Sequence, residues 1–102
     1  MTRDQRIRLS LSPVEERVLQ RLGEQWYTEA ELKRELFSEH SPGLVNSACE
    51  YLRRQSLVQA LERPHGEPYY ESTPLGRQVL ADFRRTRRPI HLEGARVVRV
   101  KL

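Results

Sequence analysis

The chain has 102 residues, 37% of them apolar and 31% charged, with a formal net charge of +4 and a single cysteine. That length fits one domain with a thin core. No stretch approaches the roughly 18 or more apolar residues of a membrane span, the first six residues lack a signal peptide's apolar run, and one thiol closes no internal disulfide; a membrane protein, a disulfide scaffold and a cysteine-rich zinc module are excluded, and a cytoplasmic protein is expected.

The chain opens on Arg6-Ile7-Arg8-Leu9-Ser10-Leu11, which alternates with Ile7, Leu9 and Leu11 on one face. Period two with one apolar face predicts a half-buried strand. Ser12-Pro13 follows, with Glu15 three residues after the serine. A serine N-cap, a proline at the first helical position and a glutamate at the third make a capping box. A helix is predicted over about 13–22, with Val14, Val18, Leu19 and Leu22 inward and Gly23 as its stop. Trp26 and Tyr27 precede the next start and read as core or as a hydrophobic staple.

Thr28-Glu29-Ala30-Glu31 is a second capping box. It opens a helix over about 29–37, with Leu32, Leu36 and Phe37 inward. Ser38-Glu39-His40-Ser41 is a short turn, and Ser41-Pro42 starts a third helix over about 42–55 with Val45, Ala48, Cys49 and Leu52 inward. Leu57–Leu61 is short and apolar, Arg63–Pro68 is a loop with two prolines, and Tyr69–Ser72 is aromatic and strand-prone. Together they predict a β-hairpin. Thr73-Pro74 opens a fourth helix over about 74–86, with Leu75, Val79, Leu80 and Phe83 inward. Ile90–Leu92 and Val98–Leu102 alternate again, and the intervening Glu93-Gly94 suits a terminal hairpin. The two ends can pair with each other within one chain or across a dimer. The predicted organisation is an arm over 1–11, a helical domain with a hairpin over 12–86, and a basic tail over 87–102.

The segment Leu44–Val58 resembles the recognition helix and first wing strand of winged-helix regulators, and Tyr69-Tyr70-Glu71-Ser72-Thr73-Pro74-Leu75-Gly76-Arg77 resembles their second wing strand entering the next helix. The resemblance is to the MarR-like and PadR-like prokaryotic transcription regulators and spans about residues 12–85. It implies a mainly α fold with a small β-hairpin wing, a winged helix-turn-helix flanked by short terminal strands. It also implies duplex DNA as partner; a homodimer is expected because one such module reads few base pairs, and no cofactor is expected.

In such regulators helix three enters the major groove. Its outward positions here are Ser41, Asn46, Ser47, Glu50, Arg53 and Arg54. The resemblance places Asn46 and Ser47 toward DNA, where asparagine can pair with adenine. Arg53 and Arg54, near the helix end, suit phosphate contact or dipole compensation. Arg63 and His65 mark the wing tip, opposed by Glu62 and Glu67.

Charge is unevenly spread along the chain. Residues 13–73 hold seven basic and eleven acidic groups, net −4, while residues 74–102 hold eight basic and two acidic, net +6. The strongest basic run, Arg84, Arg85, Arg87 and Arg88, suits phosphate contacts. Ile7, Leu9, Leu11, Val98, Val100 and Leu102 are the expected dimer contact. Glu29, Glu31, Glu35 and Glu39 crowd helix two and favour an alternative, a winged-helix module that binds another protein. RNA binding is weaker, because no exposed aromatic platform is evident.

No enzyme is expected. Cys49 falls on an inward face, where a thiol acts as a small hydrophobe. His40, His65 and His91 lack metal-ligand spacing.

Overall fold

The computed structural model describes residues 6–98. In chain order the elements are β1 (Arg6–Leu9), α1 (Pro13–Glu24), α2 (Glu29–Glu35), α3 (Pro42–Arg54), β2 (Val58–Leu61), β3 (Tyr69–Ser72), α4 (Pro74–Thr86), β4 (Ile90–Glu93) and β5 (Arg96–Val98).

Each helix begins where its cap predicts. Ser12 and Thr28 accept from the backbone N–H groups of Glu15 and Glu31, whose carboxylates accept from the cap N–H groups in return. Two helix-start donors are thereby satisfied at each box. Ser41 and Thr73 cap α3 and α4, each with proline at the first turn.

Two helix ends differ from expectation. α1 continues through Gly23 to Glu24, and the Gln25 N–H closes the turn on the Arg21 carbonyl at 3.1 Å. An ion pair from Arg21 to Glu24 spans that last turn at 3.0 Å. α2 stops at Glu35, with Leu36 as its cap. Phe37 therefore leaves the helical phase and is 72% exposed instead of inward.

α1 packs on α3 and α4, and α3 also packs on α2 and β2. Leu19, Leu32, Leu36, Leu52 and Leu57 are fully buried at the centre. β2 and β3 pair antiparallel, with Ala60 opposite Tyr70. Tyr27 joins the edge of β3 through an isolated bridge to Tyr70, which buries Tyr27 and leaves Trp26 56% exposed, tilted against Tyr69 at 6.3 Å.

The terminal strands form a second antiparallel sheet in the order β1-β4-β5. Gly94 adopts φ +63 in the two-residue turn between β4 and β5, a conformation such hairpins require. Ile7 pairs with Leu92 and Leu9 with Ile90, so the two ends meet within one chain. Leu9, Leu11, Ile90 and Leu92 join the same apolar cluster as the helices. This corrects the dimer contact. Leu9 and Leu11 are buried inside the protomer at 2% and 6% exposure and have no surface to offer a second copy. Ile7 is 36% exposed and Val98 half-buried. Val100 and Leu102 lie outside the described residues. The last strand begins earlier than predicted, at Arg96.

Candidate nucleic-acid interface

α3 is amphipathic. Val45, Ala48, Cys49 and Leu52 face the core, which turns Gly43, Ser47, Glu50 and Arg54 to solvent. Ser41 is exposed but is engaged as the helix cap, accepting from the Leu44 N–H at 3.4 Å. Burial pushes the Cys49 thiol up to about 12, so the nucleophilic thiolate is absent at neutral pH.

Asn46 does not stand free. It is half-buried, and its Nδ2 donates to Glu29 Oε2 at 3.0 Å. The same carboxylate holds Lys33 Nζ at 2.8 Å. Pairing with adenine uses both the amide donor and the amide oxygen, and the donor is already held by α2. Ser47 is the more open of the two expected readers. Arg53 lies over the Tyr70 ring at 5.7 Å. Arg54, one residue on, is exposed.

The wing tip is folded back. Arg63 Nε donates to the Glu67 carbonyl at 2.7 Å, and its guanidinium covers the Tyr69 ring at 4.3 Å. His65 remains exposed.

The arginine run is not one patch. Arg84 Nε and Arg87 Nη1 donate to the two oxygens of Glu16 at 2.8 and 2.9 Å. The hydrogen bond from Arg84, helped by that from Arg87, holds the Glu16 carboxyl below its ordinary range. Arg85 pairs with Asp82 at 3.1 Å. Three of the four cations thus balance acids on α1 and α4. Arg88 is exposed and sits after Arg87, which turns the chain in a left-handed conformation with φ 55. α4 packs on α1 and on β3, β4 and β5, so the run belongs to the terminal-sheet end and not to the surface of α3.

Two exposed apolar side chains beside the α2–α3 turn add to this face. Leu44 is 54% exposed on the first turn of α3, and Phe37 stands beyond α2. Phe37 lines a surface groove with Lys33, Arg34 and Pro42. Sequence reasoning missed both, because the short turn after Glu35 carries no periodicity that distinguishes an inward from an outward Phe37.

Among the described residues no three His, Cys, Asp or Glu side chains group to hold a metal ion, and no described helix is long and apolar enough to cross a membrane.

No family model matches the chain, and no curated protein matches it in sequence. Solved structures match it by shape. The adhesin competence repressor AdcR of Streptococcus pyogenes superposes with a TM-score of 0.63 at 22% identity over 76% of this chain and 56% of its own. A cysteine-to-serine mutant of Lactococcus lactis ZitR superposes with a TM-score of 0.64 at 23% identity over 78% of this chain and 54% of its own. The fold is a winged helix. In winged-helix terms α2 and α3 form the helix-turn-helix, and β2 and β3 form the wing. The chain spans little more than half the length of either neighbour, and at such identity the likeness carries the fold alone.

Proposed function

We propose that this winged helix binds duplex DNA in a sequence-selective manner, as a small homodimeric regulator of transcription in the cytoplasm. The supporting observation is the outward face of α3: an exposed helix of docking length, small and polar at Gly43 and Ser47, with Arg54 at its end. In this reading the N-terminal half of α3 enters the major groove. Ser47 and Leu44 meet base edges there, the leucine by apolar contact with thymine methyl groups. Arg34 and Arg54 hold the flanking phosphates, and His65 brings the wing to the backbone. The named repressor among the structural neighbours supports the same reading.

The test is fluorescence anisotropy of the chain with random-sequence duplex DNA at low and physiological salt. Binding that weakens with salt, and weakens further in Arg54→Ala and Arg34→Ala, is the expected result. No binding at low salt overturns the proposal.

A second reading is favoured by Phe37 and Leu44. Two large exposed apolar side chains beside the helix-turn-helix also suit a protein partner. Phe37→Ser separates the two: it leaves salt-sensitive duplex binding unchanged in the first reading and abolishes partner capture in the second.

A further inference from the structure

A separate site lies at the other end of the molecule. Between the last turn of α4 and the terminal sheet is a cavity of about 360 Å³, within the range of small-molecule sites. Its floor is one row of the sheet. Arg8 pairs with His91 across β1 and β4, and His91 pairs with Val98 across β4 and β5. Directly paired residues project from the same side of a sheet, so the three side chains stand in line. Arg88, on the connection from α4 to β4, joins them. Among the described residues no hydrogen bond or ion pair engages the side chains of Arg8, Arg88 or His91. The lining also holds one acid, Asp82, which pairs with Arg85 at 3.1 Å. Val98 supplies the apolar part of that row, and Ile90 and Val97 line the cavity from the adjoining core-facing row.

We infer that this cavity binds a small phosphate monoester carried on an apolar body. One guanidinium fork already satisfies a carboxylate. Two guanidiniums and an imidazole offer more donors and more charge than a carboxylate uses, and a phosphate monoester, with about −1.5 to −2 charge and three terminal oxygens, matches them. The apolar lining distinguishes such a ligand from free phosphate, which gains nothing from it. The site lies apart from α3 and is independent of the DNA-binding proposal.

The experiment titrates the full chain with phenyl phosphate, inorganic phosphate and benzoate by calorimetry, and follows backbone amide shifts by NMR. Phenyl phosphate binds at least roughly tenfold more tightly than either control. The shifts centre on Arg8, His91 and Val98, and the double variant Arg8→Gln, Arg88→Gln loses roughly tenfold or more in affinity. Both arginines are exposed, so the variant retains its fold, which an unchanged melting temperature verifies. Arg54→Gln, on α3, binds phenyl phosphate as the parent does. Equal affinity for phenyl and inorganic phosphate overturns the inference, as does a double variant that binds normally. Loss of duplex affinity in the double variant with no phenyl phosphate binding in the parent also overturns it, by assigning these arginines to the nucleic-acid backbone.

Discussion

Asn46 on α3 is tied to Glu29 at the start of α2, amide nitrogen to carboxylate oxygen at 3.0 Å. The bond links the two helices of the helix-turn-helix, and it occupies the amide donor that pairing with adenine would use. Glu29→Ala releases the amide and removes a negative charge beside α3. The variant is expected to bind duplex DNA more tightly and to lose about 0.5–1.5 kcal/mol of stability. Adding Asn46→Ala removes the share of the gain that comes from the released amide and leaves the share that comes from the lost charge. Anisotropy and urea denaturation of the single and double variants check both statements, and an Asn46→Ala single variant that strengthens binding contradicts them.

Gly76 is required by contact. A Cβ at this position would lie 2.1 Å from the Leu57 carbonyl oxygen, far inside contact distance. Gly76→Ala is expected to lose about 3 kcal/mol, at the upper end for overpacking, with a melting temperature lower by roughly 10–25 °C. Gly23 is the comparison. It is helical and exposed, and a Cβ there meets nothing within 4 Å. Gly23→Ala is expected to stabilise the chain by about 0.5–1 kcal/mol. Opposite shifts of the two alanine variants in one melting series are the measurement.

Acid sensitivity follows from Glu16 and Glu39. The hydrogen bond from Arg84 holds Glu16 below its ordinary range, and the hydrogen bond from Arg17 does the same for Glu39. A carboxyl with a lowered folded-state pKa binds its proton more readily in the unfolded chain. Its contribution is complete above the ordinary glutamate range and is lost as pH falls through the lowered value. Arg84→Gln combined with Arg87→Gln is therefore expected to reduce stability at neutral pH and to flatten the acid limb of the stability–pH curve. Arg85→Gln, whose partner is Asp82, leaves the Glu16 share of that limb in place. Denaturant midpoints across the acid range distinguish the variants.

Cys49 is 1% exposed, with its thiol pushed up to about 12 by burial. A thiol-specific disulfide reagent is expected to leave the folded chain unmodified at neutral pH and to label one equivalent in denaturant. Rapid labelling under native conditions contradicts the burial.

The helices are legible in the sequence because each begins with a side chain that acts locally. Ser12, Thr28, Ser41 and Thr73 cap their helices within three residues in sequence, and the apolar spacing behind each cap shows which face turns inward. The wing is legible for a similar reason, its strands flanking a loop rich in turn residues. What sequence does not show is where long polar side chains go. Arg84 and Arg87 reach Glu16 across 68 and 71 residues, and Asn46 reaches Glu29 across 17. No local pattern encodes a partner that distant, so a run of arginines reads as one surface when most of it is internally balanced. The pairing of the two ends is legible as a possibility, and the register that buries Leu9 against Ile90 emerges only from the folded chain.

A homodimer is better probed on the surface of β1 than by truncation. Removing residues 90–102 strips β1 of its partner and uncovers Leu9 and Leu11, so a changed mass after truncation would report a damaged protomer. Ile7→Lys, at an exposed position of β1, is the cleaner probe. Sedimentation of that variant as a monomer, with its melting temperature retained, would support a dimer contact at this edge.

The near contact between Gly76 and Leu57 also bears on how α4 is held. Thr73 donates its hydroxyl to the Ser56 carbonyl at 2.8 Å and accepts from the Gly76 N–H at 3.0 Å. The head of α4 is thereby fastened to the corner where α3 passes into the wing. Its tail is fastened to α1 through Glu16 and passes by the connection at residues 87–89 into the terminal sheet. A thirteen-residue helix is a rod about 20 Å long. Side-chain hydrogen bonds therefore hold α4 at both ends, to Ser56 at its head and to Glu16 near its tail.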